Sequence, residues 1–254
     1  WNNYKKEEKD NFDYTILNTY NTNKNLVRIG PGNDGGYVIA KEIDYDLYLT
    51  CGIAGDTRFD NAILNMYPYL PAYGFDGYIN KLPNGASKKI NFIKKNISDI
   101  DDEKNTTLKE YLSNYNNILL QMDIEGAEFK WLNCLSNENI SKFSQILLEV
   151  HWPFDNFRYN ALKKLNNTHY LVHIHGNNYC NRDFPDKDIG RSYDGKILIN
   201  NPNLTPISLP EVMELTYIRK NLVNNIEQIN YNFPRNFDNP NNPKAKDIKF
   251  KIPI

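Results

Sequence analysis

The chain has little cysteine, no long apolar run and almost no net charge, and each lack narrows what it can be. Its 254 residues include only three cysteines, Cys51, Cys134 and Cys180, with no CxxC spacing among them. That argues against a disulfide scaffold or a cysteine zinc site and fits a reducing compartment, so a cytoplasmic location is expected. No apolar stretch approaches the roughly 20 residues of a membrane-spanning helix. The polar segment from Trp1 to Asp13 has no apolar signal-peptide centre, so no membrane insertion is expected. Thirty basic residues stand against 31 acidic ones, for a formal net charge of −1. Composition therefore gives no reason to expect a nucleic-acid partner. The glycine turn Gly52-Ile-Ala-Gly55 does not have the GxGxxG spacing of nicotinamide-binding sheets.

What is present is enough for one large α/β domain, with 40% of residues apolar. The segment Leu47-Tyr-Leu-Thr-Cys51 is an apolar run that ends in Gly52-Ile-Ala-Gly55-Asp56. Helical spacing of Phe59, Ile63 and Met66 follows. This reads as strand, glycine turn, helix, an arrangement that lets a ligand approach the backbone and meet free helix N–H groups. Twenty-one residues past Gly55, a second apolar run from Leu70 to Phe75 ends in Asp76. An acid at that distance suits the two ribose hydroxyls of a nucleoside cofactor. The bland alternative is a tight turn with no ligand.

From residue 45 onward strand and helix patterns alternate, which predicts crossovers and a mostly parallel sheet. Strands are expected at 46–51, 71–75, 89–93, 117–123, 144–151 and 169–175. Helices are expected near 58–66, 106–114, 127–136 and 157–166. Ile118-Leu-Leu-Gln-Met122 and Ile146-Leu-Leu-Glu-Val150 are apolar enough to be covered by helices on both faces. Two late runs, 196–199 and 211–218, are expected to close the sheet with an antiparallel pair. The organisation anticipated is a helix and hairpin cap over 1–44, a core over 45–220 and an irregular C-terminal extension over 221–254, all in a single domain. In the cap, Leu26–Ile29 and Tyr37–Ala40 flank the turn-rich Gly30-Pro-Gly-Asn-Asp-Gly-Gly36, the pattern of a hairpin or an ordered loop.

Ligands of open α/β sheets sit at the carboxyl ends of the strands. The residues there are Gly52, Asp76, Asn96, Asp123, Glu149 with His151, and His173 with His175. Glu149 and His151 lie two apart and share a strand face, as do His173 and His175. A buried glutamate needs a partner, and imidazole is the natural base near neutral pH. Asp123 with Glu149 is also a candidate pair of ligands for a divalent metal. The structural alternatives are a Glu–His hydrogen bond, and helix capping by Asp123 with dipole pairing by Glu125 and Glu128.

Taken together these residues resemble the class I S-adenosylmethionine-dependent methyltransferases, and within them the FkbM-like family. The likeness rests on Arg28-Ile-Gly30 with Asp34-Gly-Gly-Tyr-Val38, on Cys51-Gly-Ile-Ala-Gly-Asp56, on Phe75-Asp76 and on Gln121-Met-Asp-Ile-Glu-Gly-Ala-Glu-Phe129. Leu148-Glu-Val-His-Trp152, His173-Ile-His-Gly-Asn177 and Glu214-Leu-Thr-Tyr217 extend it. It implies a Rossmann-like seven-stranded sheet with S-adenosylmethionine as methyl donor. The acceptor it implies is a hydroxyl of a small molecule, sugar or glycan, or a phosphate or phosphoramidate oxygen. Similar proteins occur in bacterial capsule and surface-polysaccharide clusters and in large viruses, which implies the bacterial or viral-host cytoplasm.

The resemblance places the donor against Asp34, Gly35, Tyr37, Gly52, Ile53, Gly55, Asp56, Asp76, Asn96, Ile97 and Asp123. His151 is the expected base, oriented by Glu149 or Asp123, with His175 or His173 as substitute. Tyr37, Trp152, Asn177 and Asn178 are expected on the acceptor side. Cys51 departs from the family pattern and leaves the donor's amino-acid end to Asp34 or Asp56. Two rival readings are a nucleotide-sugar oxidoreductase or epimerase, and a non-catalytic module of the same fold that binds glycans.

Overall fold

A computed structural model describes residues 13–151, 155–180, 196–201 and 204–252. Seven strands form the central sheet: β1 (Leu47–Cys51), β2 (Ala72–Phe75), β3 (Ile90–Ile93), β4 (Ile118–Met122), β5 (Phe143–His151), β6 (His169–Gly176) and β7 (Val212–Arg219). Their order across the sheet is β3-β2-β1-β4-β5-β7-β6. All neighbours run parallel except β7, which is antiparallel to both β5 and β6. The chain order reverses between β1 and β4, so their carboxyl ends splay apart and leave a crevice.

Period-two alternation sorts the strand side chains onto two faces. Leu47, Leu49 and Cys51 of β1, Leu120 of β4 and Leu148 of β5 share one core cluster with Trp131 and Leu165. These last two belong to helices α3 (Glu128–Cys134) and α5 (Asn156–Thr168). Tyr48, Leu119 and Leu147 point the other way, against Phe59 and Ile63. Those residues lie on α1 (Arg58–Met66), which stops just before Pro68, a residue that cannot continue a helix. The sheet is thus covered by helices on both faces. A short α2 (Lys109–Asn114) and α4 (Asn137–Ile140) complete the helices among the described residues. No helix among them is long and apolar enough to cross a membrane.

The hairpin Leu26–Ile29 with Tyr37–Ala40 forms as its turn chemistry predicts and lies on the α1 face. It is tied there by Thr216 Oγ1 donating to Val38 O at 2.7 Å and by Ala40 N donating to Gln145 Oε1 at 2.9 Å.

Three expectations need correction. The run at 196–201 does not join the sheet. It pairs with Leu204–Pro210 as a separate antiparallel ladder, and Val212–Arg219 alone enters the sheet, between β5 and β6. Within 13–20, the expected N-terminal helix is one 3-10 turn, Tyr14–Leu17, followed by a strand, Thr19–Asn21, that pairs with Glu227–Ile229. The C-terminal extension is less peripheral than its Asn- and Pro-rich composition suggests. Phe233, Ile248, Phe250 and Ile252 are buried in the main core cluster.

Candidate functional site

A cavity of about 220 Å³ opens at the carboxyl ends of β1 and β4. The glycine turn, the hairpin turn and the first turn of α1 enclose it. Asp34, Gly35, Tyr37, Ile53, Gly55 and Asp56 line it, with Gly52, Gln121 and Asp123 beneath.

The two glycines of the turn have different jobs. Gly52 has φ +82°, and a Cβ there would lie 1.6 Å from the Asp123 carbonyl oxygen. The fold itself therefore requires glycine at this position, because strands β1 and β4 meet there. At Gly55 an added Cβ would meet nothing within 4 Å, so this glycine keeps space open in the cavity.

Asp76 also works for the chain. Oδ2 accepts Ala54 N–H at 2.8 Å, and Oδ1 accepts the N–H groups of Tyr78 and Ile79 at 2.7 and 3.1 Å. Three of about four acceptor positions are occupied. The carboxylate pins the glycine turn, where Ala54 sits at φ +47°, to the end of β2. Asn96 packs its amide against Gly77. Ile97 does not flank the cavity as expected. It is buried in the main core cluster because strand alternation turns it inward. Tyr78 is 91% exposed. Trp152 lies outside the described residues.

Beneath the cavity is a polar layer on the hairpin face. Thr50 Oγ1 donates to Gln121 Oε1 at 2.8 Å, and Gln121 Nε2 donates to the Tyr37 hydroxyl at 3.3 Å. Sequence reasoning passed over Gln121 and Thr50. The signal was available, since a polar residue inside an otherwise apolar buried strand needs a reason.

Acidic groups crowd the ends of β4 and β5. Asp123 Oδ1 is buried and has no hydrogen-bond partner. Burial pushes the Asp123 carboxyl up to about 7, against the pull of His151 and with help from Glu125, Glu128 and Asp34. Burial, then the charges of Asp123 and Glu214, hold the Glu149 carboxyl well above its usual range. Asn177 Nδ2 donates to both Glu149 oxygens at 3.3 and 3.2 Å. His151 sits among these acids. Its Nε2 is 3.4 Å from Glu125 Oε2 and 3.5 Å from Glu149 Oε1, and its Nδ1 is 3.7 Å from Glu128 Oε1. Burial alone would lower its pKa, but Glu128, Asp123 and Glu125 outweigh that and raise it. Glu128 behaves as the structural alternative has it: Oε2 accepts Gly126 N–H at 2.9 Å at the start of α3.

Among the described residues, one group of three offers ligand atoms to a metal ion: Asp123, Glu125 and His151, all within 4.8 Å of one another. Glu149, expected as the second metal ligand, is not in that group and is held by Asn177. Glu125 stands at φ +58°, a conformation uncommon outside glycine, with its side chain 85% exposed. A carboxylate, carboxylate and imidazole set with an orphaned oxygen fits a hard or borderline divalent cation.

His173 and His175 belong elsewhere. His175 Nδ1 is 3.0 Å from Glu214 Oε2, and Nε2 is 3.2 Å from both Asp247 oxygens. Burial opposes its charge, but Asp247 and Glu214 push its pKa up to about 10. With both nitrogens engaged and a proton held this tightly, His175 is not the substitute base. His173 Nε2 is 2.9 Å from Asp238 Oδ1 and is equally enclosed. Asn178, expected near an acceptor, instead donates to the backbone oxygens of Asn242 and Lys246. Asn241 joins the same plug, donating to Glu214 Oε1 at 2.6 Å and to Asp34 Oδ1 at 3.0 Å.

The fold and site define an open α/β protein with a cavity at the switch point of its sheet. Comparison of the chain with protein-family models, curated proteins and solved structures finds no match.

Proposed function

We propose that the protein is an S-adenosylmethionine-dependent O-methyltransferase acting on a hydroxyl of a sugar, glycan or capsule precursor. The observation that carries this reading is the anionic floor of the switch-point cavity, where Asp123 Oδ1 is buried without a partner. A donor with an ammonium group and a sulfonium centre supplies the missing positive charge. When bound, that donor supplies an already activated methyl group, so the chain's own residues need only align the acceptor and accept a proton. Gly55 leaves room above the turn, Asp34 and the Arg58-paired Asp56 lie at the rim for the donor's amino-acid end, and Asp76 with Asn96, outside the cavity lining, is the nucleoside side in this reading. Asp76 keeps about one acceptor position for a ribose hydroxyl.

His151 is the proton acceptor in this reading, flanked by Glu149 and by Asp123. A divalent cation held by Asp123, Glu125 and His151 would acidify the acceptor hydroxyl in its place.

A second reading, a non-catalytic module of the same fold, draws support from Asp76, whose carboxylate already has a structural task. Calorimetric titration of S-adenosylmethionine and S-adenosylhomocysteine, with and without magnesium or manganese, separates the two. Saturable donor binding that Gly55→Leu abolishes, with the melting midpoint kept, is the expected result. Absence of binding by folded protein would hand the site to the second reading.

A further inference from the structure

A second cavity, of about 250 Å³, lies where three segments outside the central sheet meet. Tyr20 comes from the N-terminal strand, Lys24 and Asn25 from the entry to the hairpin, and Tyr231, Arg235 and Phe237 from the C-terminal extension. The hairpin reaches both cavities. Its turn, at Asp34 to Tyr37, borders the first, and its open end, at Leu26, borders the second. Ala40, opposite Leu26 in the hairpin, bonds Gln145 near the start of β5, so the second cavity lies toward the other end of the sheet.

Arg235 is the main feature. Its guanidinium carbon is 4.1 Å from the centroid of the Tyr231 ring and 4.6 Å from that of Phe237. Two aromatic rings hold the cation in place without consuming its N–H groups. Among the described residues no side chain or carbonyl accepts a hydrogen bond from that guanidinium. The nearby carboxylate is spent: Asp238 Oδ2 accepts the backbone N–H of Arg235, and Oδ1 faces His173. The second cation, Lys24, donates to the backbone oxygen of Glu42 at 2.8 Å, a neutral partner that leaves its charge uncompensated. Among the described residues no Asp or Glu lines the cavity.

Two unneutralised cations, one of them a pre-set planar fork, call for an oxyanion. The rest of the wall is Tyr20, whose ring packs on Tyr170 at 4.9 Å and offers its other side, with Asn21 and Asn25, a set that suits one face and the hydroxyls of a sugar ring. We propose that this cavity binds a saccharide unit bearing an oxyanion, with Arg235 and Lys24 on the anion and Tyr20 and Asn25 along the ring. The anion is a carboxylate, as in a hexuronate, or a phosphate ester. The site is built from residues separate from the switch-point cavity, so it stands or falls without the methyltransferase reading.

The test is calorimetric titration of the full chain with a glucuronate-containing disaccharide, with glucose 1-phosphate and with a neutral glucose disaccharide. Saturable binding of an anionic probe is expected, with the neutral one at least tenfold weaker. Binding of the uronate alone assigns the carboxylate source, and binding of the phosphate alone assigns the other. Arg235→Met keeps a stem between the rings and removes the N–H fork, so it should weaken binding at least tenfold with the melting midpoint held. Should that variant not fold, Lys24→Met provides the same readout from the opposite wall. No saturable binding of either anionic probe by the folded wild type would overturn the proposal. So would equal binding of the neutral disaccharide, or affinity unchanged in the folded variant.

Discussion

The ends of β5 and β6 carry the same kind of sequence, two polar residues two positions apart on one face, and they end up in opposite states. At β6, His173 and His175 each meet a carboxylate from the C-terminal extension, and His175 meets one on each nitrogen. At β5, the His151 ring lies 3.4 Å or more from the carboxylates of Glu125, Glu128 and Glu149, with His151 Nδ1 and Asp123 Oδ1 left without hydrogen bonds. One end is a plug closed around His175, although His173 Nδ1 and Asn241 Oδ1 within it have no hydrogen-bond partner, and the other leaves an acid and an imidazole open side by side. A buried ion pair satisfied on all sides holds structure together, whereas buried polar atoms left open are costly and persist where a ligand completes them. The comparison therefore separates a histidine that keeps its proton from one that can exchange it.

The sharpest way to break this contrast is a crossed pair of substitutions. Asp247→Ala leaves the His175 cation with Glu214 alone. It should cost about 3–5 kcal/mol of stability in urea unfolding, as expected for removing one partner of a buried pair. His151→Ala should lower turnover on the true acceptor by roughly 10²–10⁴-fold while donor affinity is kept. Its stability cost should be only about 1–2 kcal/mol, since none of the ring's contacts is close enough for a strong hydrogen bond. If His151→Ala were the variant that unfolded and Asp247→Ala the one that lost turnover, the two ends would have to be exchanged.

pH sharpens the same contrast with smaller effects. His175 holds its proton more tightly in the fold than in the unfolded chain, with a folded pKa of about 10 against the ordinary 6.5 of imidazole. Its contribution to stability is complete below about pH 6.5 and drains away as the pH rises toward 10. Urea midpoints measured from pH 7 to 10 should fall more steeply for the wild type than for Asp247→Asn. At β5 the effect lies in binding. Asp123 must ionise to receive a cationic donor, and its folded pKa is about 7. Affinity for S-adenosylmethionine should tighten roughly five- to tenfold between pH 6 and 7.5, with proton release seen as a buffer-dependent enthalpy. A flat affinity across that range would mean that Asp123 does not face the donor.

The first of these two regions was far more legible than the second. Strands β1 to β6, α1 and the hairpin follow from apolar periodicity and turn residues, because those signals sit inside each segment. The place of β7 does not: Val212–Arg219 looks like any strand, and nothing in its own residues says that it slots between β5 and β6. The plug was illegible for the same reason. Asp238, Asn241 and Asp247 sit in a polar stretch that reads as surface, and their partners, His173, Glu214 and His175, are 65, 27 and 72 positions away. Reading each strand end by itself made His175 look like His151. Ile97 failed on a finer scale: it follows a strand end, as a ligand-flanking residue should, but alternation buries it.

Asn177 is where the two regions touch, and it gives the smallest and most discriminating test. It follows directly on β6, and its N–H donates to Val212 O at 3.0 Å, so by position it belongs to the plug. Its side chain crosses over and donates to both oxygens of Glu149, a contact that favours the charged form of that carboxylate. Asn177→Ala removes those donors and leaves the Glu149 carboxyl to rise further, so more of it is protonated at neutral pH. The stability cost should be about 1 kcal/mol, because a buried glutamate can neutralise itself instead of remaining an unpaired charge. What matters is the pH–rate profile. If Glu149 orients His151 as an anion, the acidic limb of the profile should move to higher pH in Asn177→Ala, while Asn177→Asp, which puts a second acid beside Glu149, should move it further. If both variants lose stability and leave the profile in place, Asn177 and Glu149 belong to the plug, and His151 works with Asp123 alone.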